Sequence, residues 1–354
     1  MSFNVKAIGT TSADQPLEVM NIARRDLAPD DVQFQILYCG ICHSDLHQVK
    51  NDFGGSHYPM VPGHEIIGRV TAVGPAVKKF KLGDLAAVGC IVDSCGTCPA
   101  CRRDLEMFCQ GAQGTTLSFN TPDRALGGMT YGGFSQTYVC KESYTLRVPD
   151  RVTQENLAAT APLLCAGITV YSPLKHWGAG AGKVVGIVGI GGLGHVAIRI
   201  ARAMGAHVVV FTTTPSKAED AKRLGAHEAV LSTDPAQMQR YAAGIDILLD
   251  TVSANHEINA YLNLLAIDGS LVLVGLPADA MQVGAFNLVK GRRSFAGSNI
   301  GGIAETQEML DFCAEHDIVA DIELVSADQV NEAFKRLEKN DVRYRFVIDM
   351  STLA

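Results

Sequence analysis

The sequence predicts an α/β protein in which an irregular all-β region is joined to a doubly wound parallel sheet. Three observations carry this. A buried apolar strand runs straight into a GxGxxG turn and a helix within residues 184–204. Strands and helical segments alternate from there to about residue 275. Before them, roughly the first 150 residues read as short strands punctuated by glycine and proline.

Residues 184–217 read VVGIVGIGGLGHVAIRIARAMGAHVVVFTTTPSK. The β-branched run 184–188 suits a strand buried on both faces of a parallel sheet. Gly189, Gly191 and Gly194 then allow a tight turn, a close approach of backbone to a pyrophosphate, and close helix packing. The helix that follows points its free N–H groups and dipole at the phosphates. Val196, Ile198, Ile200, Ala201 and Met204 form its apolar face, Gly205 stops it, and residues 208–211 form a second strand. At the end of that strand a carboxylate would select NAD, whereas this chain has Thr212, Thr213 and Thr214, with Ser216 and Lys217 after them. Hydroxyls and a cation suit the 2′-phosphate of NADP, so the reading favours NADP(H); a solvated loop with a threonine cap is the alternative.

The remaining elements follow in order. Residues 32–38 (VQFQILY) alternate as a half-buried strand does, and residues 66–73 and 85–92 are further strands. Residues 163–174 predict a helix connecting the two regions. Beyond the dinucleotide turn, residues 218–224 and 255–265 are helical, while 245–251 and 270–275 are parallel strands. With 354 residues, two domains are expected, and the 47% hydrophobic content supports a sizeable core. A net charge of −7 without a basic block argues against nucleic acid or anionic membranes as partners. No apolar run approaches the ~20 residues of a membrane span. The start of the chain lacks a signal-peptide pattern, so the ten cysteines are expected in a reducing, cytoplasmic setting where they ligate metal.

Two constellations carry chemistry. In CGICHSDLH (residues 39–47) and the following GHE (63–65), Cys42 and His64 suit two ligands of one catalytic zinc, which keeps an open position and takes a third ligand from elsewhere. Cys39, on a strand beside Tyr38, is read as a buried structural thiol. Cys95, Cys98, Cys101 and Cys109 stand within fifteen residues of a loop rich in Gly, Pro, Asp and Arg, and describe a closed structural zinc site. An iron–sulfur cluster is the rival for four thiolates at this spacing, and disulfides are disfavoured by the compartment.

These motifs, in this order and spacing, resemble the zinc-containing medium-chain alcohol dehydrogenases. PLLCAGITVYSPL (residues 162–174) and RYRFVID (343–349) resemble the cinnamyl-alcohol dehydrogenase branch, including its bacterial NADPH-dependent aldehyde reductases. The resemblance spans nearly the whole chain. It implies a GroES-like catalytic domain over residues 1–154, a Rossmann domain over 155–297, and a return to the catalytic domain over 298–354.

The resemblance also assigns residues. Cys165 becomes the third ligand of the catalytic zinc. Glu65 is the acid beside the metal, and Asp45 the carboxylate that fixes the ligating imidazole. Ser44 and His47 form a proton relay, to which a histidine with an ordinary pKa of about 6.5 is suited. Cofactor contacts fall on His43, Thr169, Gly189, Gly191, Gly192, Leu193, Gly194, Thr212, Thr213, Thr214, Lys217, Thr251, Val274, Gly275, Leu276, Ser298, Asn299, Ile300 and Arg345, the last reaching the pyrophosphate. His57, His176, His207, His227, His256 and His316 stand in no motif and are read as surface residues.

The implied activity is zinc-dependent, NADP(H)-linked reduction of aldehydes, reversible as alcohol oxidation, in a homodimer holding two zinc ions per chain. A substrate cavity near Tyr58, Met60, Ile91, Leu276, Phe286 and Ile300 would be apolar, suiting aromatic or medium-chain aliphatic aldehydes. The single tryptophan, Trp177, argues against a large aromatic box, so broad specificity is preferred to a dedicated cinnamyl enzyme. An NAD-dependent alcohol or polyol dehydrogenase is a further alternative on the same fold. A zinc-free quinone reductase is opposed by the cysteines, and a nucleic-acid zinc module by the acidic balance.

Overall fold

The computed structural model describes residues 2–353. In chain order the elements are β1 (Ser2–Gly9), β2 (Glu18–Arg25), β3 (Asp31–Ile41), α1 (His43–Val49), β4 (Ile66–Val73), β5 (Leu85–Val88), β6 (Ile91–Asp93), β7 (Thr116–Leu117), β8 (Thr137–Lys141) and β9 (Leu146–Arg147). Then come α2 (Leu157–Thr160), α3 (Ala166–His176), β10 (Val184–Val188), α4 (Gly194–Ala203), β11 (His207–Thr212), α5 (Pro215–Arg223), β12 (Glu228–Leu231), α6 (Pro235–Gln239) and β13 (Ile245–Asp250). The chain closes with α7 (Ile258–Leu262), β14 (Leu265–Leu273), α8 (Ala285–Val289), β15 (Ser294–Gly297), α9 (Ile303–Glu315), β16 (Ile322–Ser326), α10 (Val330–Glu338) and β17 (Arg345–Asp349).

Two compact units result. One runs through Cys165 and resumes at Gly301; the other comprises Ala166–Ile300. The first contains a seven-stranded sheet in the order β16-β17-β3-β4-β5-β9, with β8 also paired to β3. β17 adds antiparallel to β3, setting Phe346 opposite Ile41 and so bringing the end of the chain to the strand that leads into Cys42. Phe34, Ile36, Ile66, Phe134 and Phe346 fill this unit's core.

The second unit is a six-stranded parallel sheet in the order β12-β11-β10-β13-β14-β15. Strand order reverses beside β10, where crossovers leave to either side. β10 is a nearly pure apolar run because helices cover both faces of the sheet. Phe211 meets Tyr241 and Tyr261 edge-on, with centroids 5.9 and 6.1 Å away, at the centre of one apolar layer.

The structure departs from the sequence reading at four places. The strand expected over 85–92 breaks at Gly89 and Cys90, after which β6 leaves the large sheet to pair with β7. The helix expected over 163–174 is interrupted at Cys165, between a 3-10 turn at Ala161–Leu164 and α3. The helix expected over 255–265 shrinks to Ile258–Leu262, because Glu257 caps its start and Leu265 already belongs to β14. The unit boundaries fall at 165/166 and 300/301, since α2 and the turn after it pack on β3 and β17. No single helix among the described residues is long and apolar enough to cross a membrane.

Candidate metal centre and dinucleotide turn

Cys42 follows β3 and caps the start of α1, so the helix after it places Ser44, Asp45 and His47 within one and a half turns of the thiol. Asp45 is fully buried and ties two loops together. One carboxylate oxygen accepts from the Cys42 backbone N–H at 2.8 Å; the other accepts from the Gly63 N–H at 2.9 Å and from His64 Nδ1 at 3.0 Å. With Nδ1 donating to a carboxylate, His64 presents Nε2 to the cluster. Gly63 makes this approach possible: its φ is +108°, and a Cβ there would sit 2.8 Å from the Gly133 nitrogen. The segment carrying His64 is zipped to residues 132–134 by three backbone hydrogen bonds. Buried Arg24 anchors that neighbouring segment, donating to the carbonyls of Tyr131, Gly132 and Thr137.

The ligand atoms of Cys42, His64, Glu65 and Cys165 all lie within 4.8 Å of one another. Cys165 joins because the chain kinks there between two helical segments instead of burying the thiol along a continuous helix. A hydrogen bond from Cys165 lowers the Cys42 thiol well below its ordinary range, against burial, and Arg345 and His64 add to that lowering. Cys165 is pushed well up by the same pairing and by a second one with Cys90. Burial alone would lower His64, but Asp45 and Cys90 outweigh it and hold the imidazole well above its ordinary value. Burial raises Glu65 to about 8 against the pull of Arg345. Protons therefore crowd a site of soft donors, and a divalent cation would replace them.

Two observations test whether zinc fits. Two thiolates and an imidazole form the donor set of a catalytic zinc site. Glu65 Oε2, wholly buried beside Gly40, has no hydrogen-bond partner, and Glu65 offers a carboxylate oxygen within 4.8 Å of the other three ligand atoms. The residues fit the metal.

The quartet Cys95, Cys98, Cys101 and Cys109 also converges within 4.8 Å. Backbone N–H groups point at its sulfurs: Cys98 N to Cys95 Sγ at 3.3 Å, Gln110 N to Cys98 Sγ at 3.3 Å, and Cys95 N to Cys109 Sγ at 3.3 Å. The N–H groups of Thr97 and Cys98 bring Cys95 down to about 5, so thiolate is favoured before any cation arrives. A Cβ on Gly111 would lie 2.6 Å from the Cys95 Cβ, which keeps this loop closed around its sulfurs.

In the second unit the glycine turn has the shape a phosphate needs. Gly189 has φ +88°, a Cβ on Gly194 would lie 2.1 Å from the Gly189 carbonyl oxygen, and Gly191 faces open space. Gly192 and Leu193 complete the turn into α4. Lys217 reaches back to the Ile190 carbonyl at 3.1 Å, and the Thr251 hydroxyl bonds the Val188 carbonyl at 2.8 Å, so both flank the turn. His195, which no motif singled out, is buried and donates through Nδ1 to the Gly191 carbonyl at 2.9 Å. Thr212 is buried and its hydroxyl accepts from the Thr214 N–H at 3.2 Å, while Thr213 and Thr214 are exposed. Thr169 is buried in α3; Val274 and Gly275 both donate to the Asp250 carbonyl; Ser298 continues from β15, its N–H on the Leu273 carbonyl, with Asn299 and Ile300 following.

Several expectations change. Arg345, to which the resemblance gives a pyrophosphate contact, is buried and paired with Glu65, and it donates to the Ile41 carbonyl at 3.1 Å. His256 is half-buried and bonded to Asp250 instead of standing on the surface. Met60 and Ile91 are buried in the first unit's core, whereas Leu276 and Phe286 are exposed. Two residues were not legible in the sequence. Cys90 pairs with the Cys165 thiol, and Asp52 accepts from His47 Nδ1 at 2.8 Å; neither stands at a spacing that marks it. His43 is exposed at the start of α1, its ring 6.1 Å from that of His47.

Comparisons with known proteins agree with this geometry. Residues 28–150 match the alcohol dehydrogenase GroES-like domain and residues 192–315 the zinc-binding dehydrogenase domain. The chain is 56% identical over 351 residues to the aldehyde reductase YahK of Escherichia coli, covering 99% of each. It is 52% identical over 349 residues to the NADP-dependent alcohol dehydrogenase C 1 of Mycolicibacterium smegmatis, again covering 99% of each. Among solved structures it resembles a cinnamyl alcohol dehydrogenase of Sorghum bicolor, with a TM-score of 0.93, 43% identity, and coverage of 99% and 98%.

Proposed function

Because this chain belongs to the zinc-binding alcohol dehydrogenase family, we propose that it catalyses the reversible reduction of aldehydes by NADPH, over a broad range of apolar substrates. The convergence of Cys42, His64 and Cys165, with a Glu65 carboxylate oxygen beside them, carries this reading. Those three residues would hold a zinc ion, which supplies Lewis-acid polarisation of a carbonyl, and the nicotinamide supplies hydride.

The chain's own residues do the rest. Asp45 fixes the His64 tautomer and the separation of the two loops that carry Cys42 and His64. Arg345 pairs with one oxygen of Glu65 and so fixes that carboxylate beside the cluster. Ser44, whose hydroxyl lies 3.8 Å from the Cys42 sulfur, hands a proton to the substrate oxygen. His47 donates Nδ1–H to Asp52, so its Nε2 takes up and returns protons at the outer end of the relay. Lys217, Thr213 and Thr214 would meet the 2′-phosphate, with Thr212 shaping their turn.

β15 is a sheet edge, and Phe286 and Val289 on neighbouring α8 are about three-quarters exposed. We infer from this edge a homodimer. The cysteines are free thiols and the net charge is −7, which fits a cytoplasmic enzyme that binds neither nucleic acid nor membrane. Steady-state assays of aldehydes and alcohols with NADPH and NADH test the reading. Turnover of several aromatic and aliphatic aldehydes with NADPH is expected; turnover confined to cinnamyl aldehydes, or a preference for NADH, would refute it.

A further inference from the structure

Asp250 ends β13 wholly buried, and the chain then makes a loop that returns to it. The Asp250 carboxylate accepts from the Val252 N–H at 3.1 Å and from His256 Nε2 at 2.9 Å. The other ring nitrogen of His256, Nδ1, lies 2.9 Å from the Ala254 carbonyl oxygen. Both ring nitrogens therefore face groups that only accept. A neutral imidazole has one N–H and would turn a lone pair against one of these oxygens; the imidazolium satisfies both.

What this clamp holds is the roof of the dinucleotide turn. A Cβ on Gly189 would lie 2.8 Å from a Val252 methyl and 3.2 Å from the Thr251 hydroxyl. A Cβ on Gly275 would lie 2.3 Å from the Val252 carbonyl oxygen, and Leu276 N donates to the Ser253 hydroxyl at 3.3 Å. Residues 251–253 are thus wedged between the glycine turn and the end of β14. We propose that His256 is a positioning residue for the cofactor: bridging the Asp250 carboxylate and the Ala254 carbonyl as a cation, it holds Thr251 and Val252 in place beside the glycine turn. The inference rests on the reading of that turn as the NADP(H) site.

The surroundings favour the cation. The hydrogen bond that His256 donates to Asp250 raises the imidazole above its ordinary value; burial opposes this, and the Ala254 carbonyl and Glu257 support it. From other elements, the Tyr261 ring of α7 stands edge-on at 5.5 Å, and Asp279, between β14 and α8, bonds Asn255 of the His256 loop. The charged groups around His256 are carboxylates. With a raised value in the folded state, the clamp is complete below the ordinary histidine value and lost as pH rises through the raised one.

The test is the dissociation constant of NADPH for the zinc-loaded enzyme, followed by cofactor fluorescence from pH 6.5 to 10, beside wild-type imidazole 15N spectra. Both His256 nitrogens should carry protons at the acid end of that range. Wild-type affinity should weaken by about tenfold across the alkaline limb. His256→Asn should start at the weakened affinity and lack that limb, and Asp250→Asn should move the limb to lower pH. A merely structural histidine would change affinity without moving its pH dependence. A neutral His256 ring at the acid end, or a limb that survives in His256→Asn, overturns the proposal while leaving the cofactor reading intact. Failure of the wild type to bind NADPH at any pH would overturn that reading, and the proposal with it.

Discussion

Asp45 shows how much one buried carboxylate can organise. It accepts from the backbone beside Cys42, from the backbone beside His64, and from the His64 ring, so a change of one atom reaches both ligand loops. Asp45→Asn keeps the shape but removes the charge that holds Nδ1–H, and should weaken zinc affinity at this site by about 10–100-fold, measured by chelator competition. Cys42→Ala should cut aldehyde reduction by at least about a hundredfold while one zinc per chain remains in the quartet; retained turnover would contradict the ligand assignment. Cys42, His64 and the quartet were legible because ligand spacing leaves a mark in the sequence. Asp52 and Cys90 were not, because their partners are set by the turn after α1 and by the break between β5 and β6. Arg345 was legible as a site residue, whereas its buried pairing with Glu65 was not, since sequence position alone does not mark that partner.

At the scale of elements, the closed cysteine loop and the glycine turn make different predictions. The quartet sits on 3-10 turns and bends with few buried apolar side chains of its own, so its stability rests on a cation. Cys98→Ser should lower the melting temperature by at least about 5 °C, read by calorimetry, with kcat per folded molecule little changed. Thr212→Asp puts a carboxylate at the end of β11, where it should repel a 2′-phosphate and shift the ratio of kcat/KM for NADPH over NADH by about tenfold or more toward NADH. An unchanged ratio would contradict the NADP assignment. The strands of the parallel sheet were readable because a doubly covered strand needs an uninterrupted apolar run, as in β10 and β11. The helices before β10 and before β14 were less so. Their breaks at Cys165 and beside Glu257 answer to tertiary demands that helical periodicity does not encode.

For the molecule as a whole, the exposed β15 edge and the apolar residues of α8 predict association between copies of this chain. Light scattering should give about twice the chain mass, and Phe286→Asp should shift it toward the monomer. The central claim is that a metal held by Cys42, His64 and Cys165 is needed to activate the aldehyde. Its most direct measurement is NADPH oxidation by protein stripped of that ion alone, with the quartet still loaded and the circular dichroism spectrum native. The rate should fall to about a hundredth or less and return with one equivalent of zinc. Folded, metal-free protein that reduces aldehydes as fast as the untreated enzyme would contradict the account.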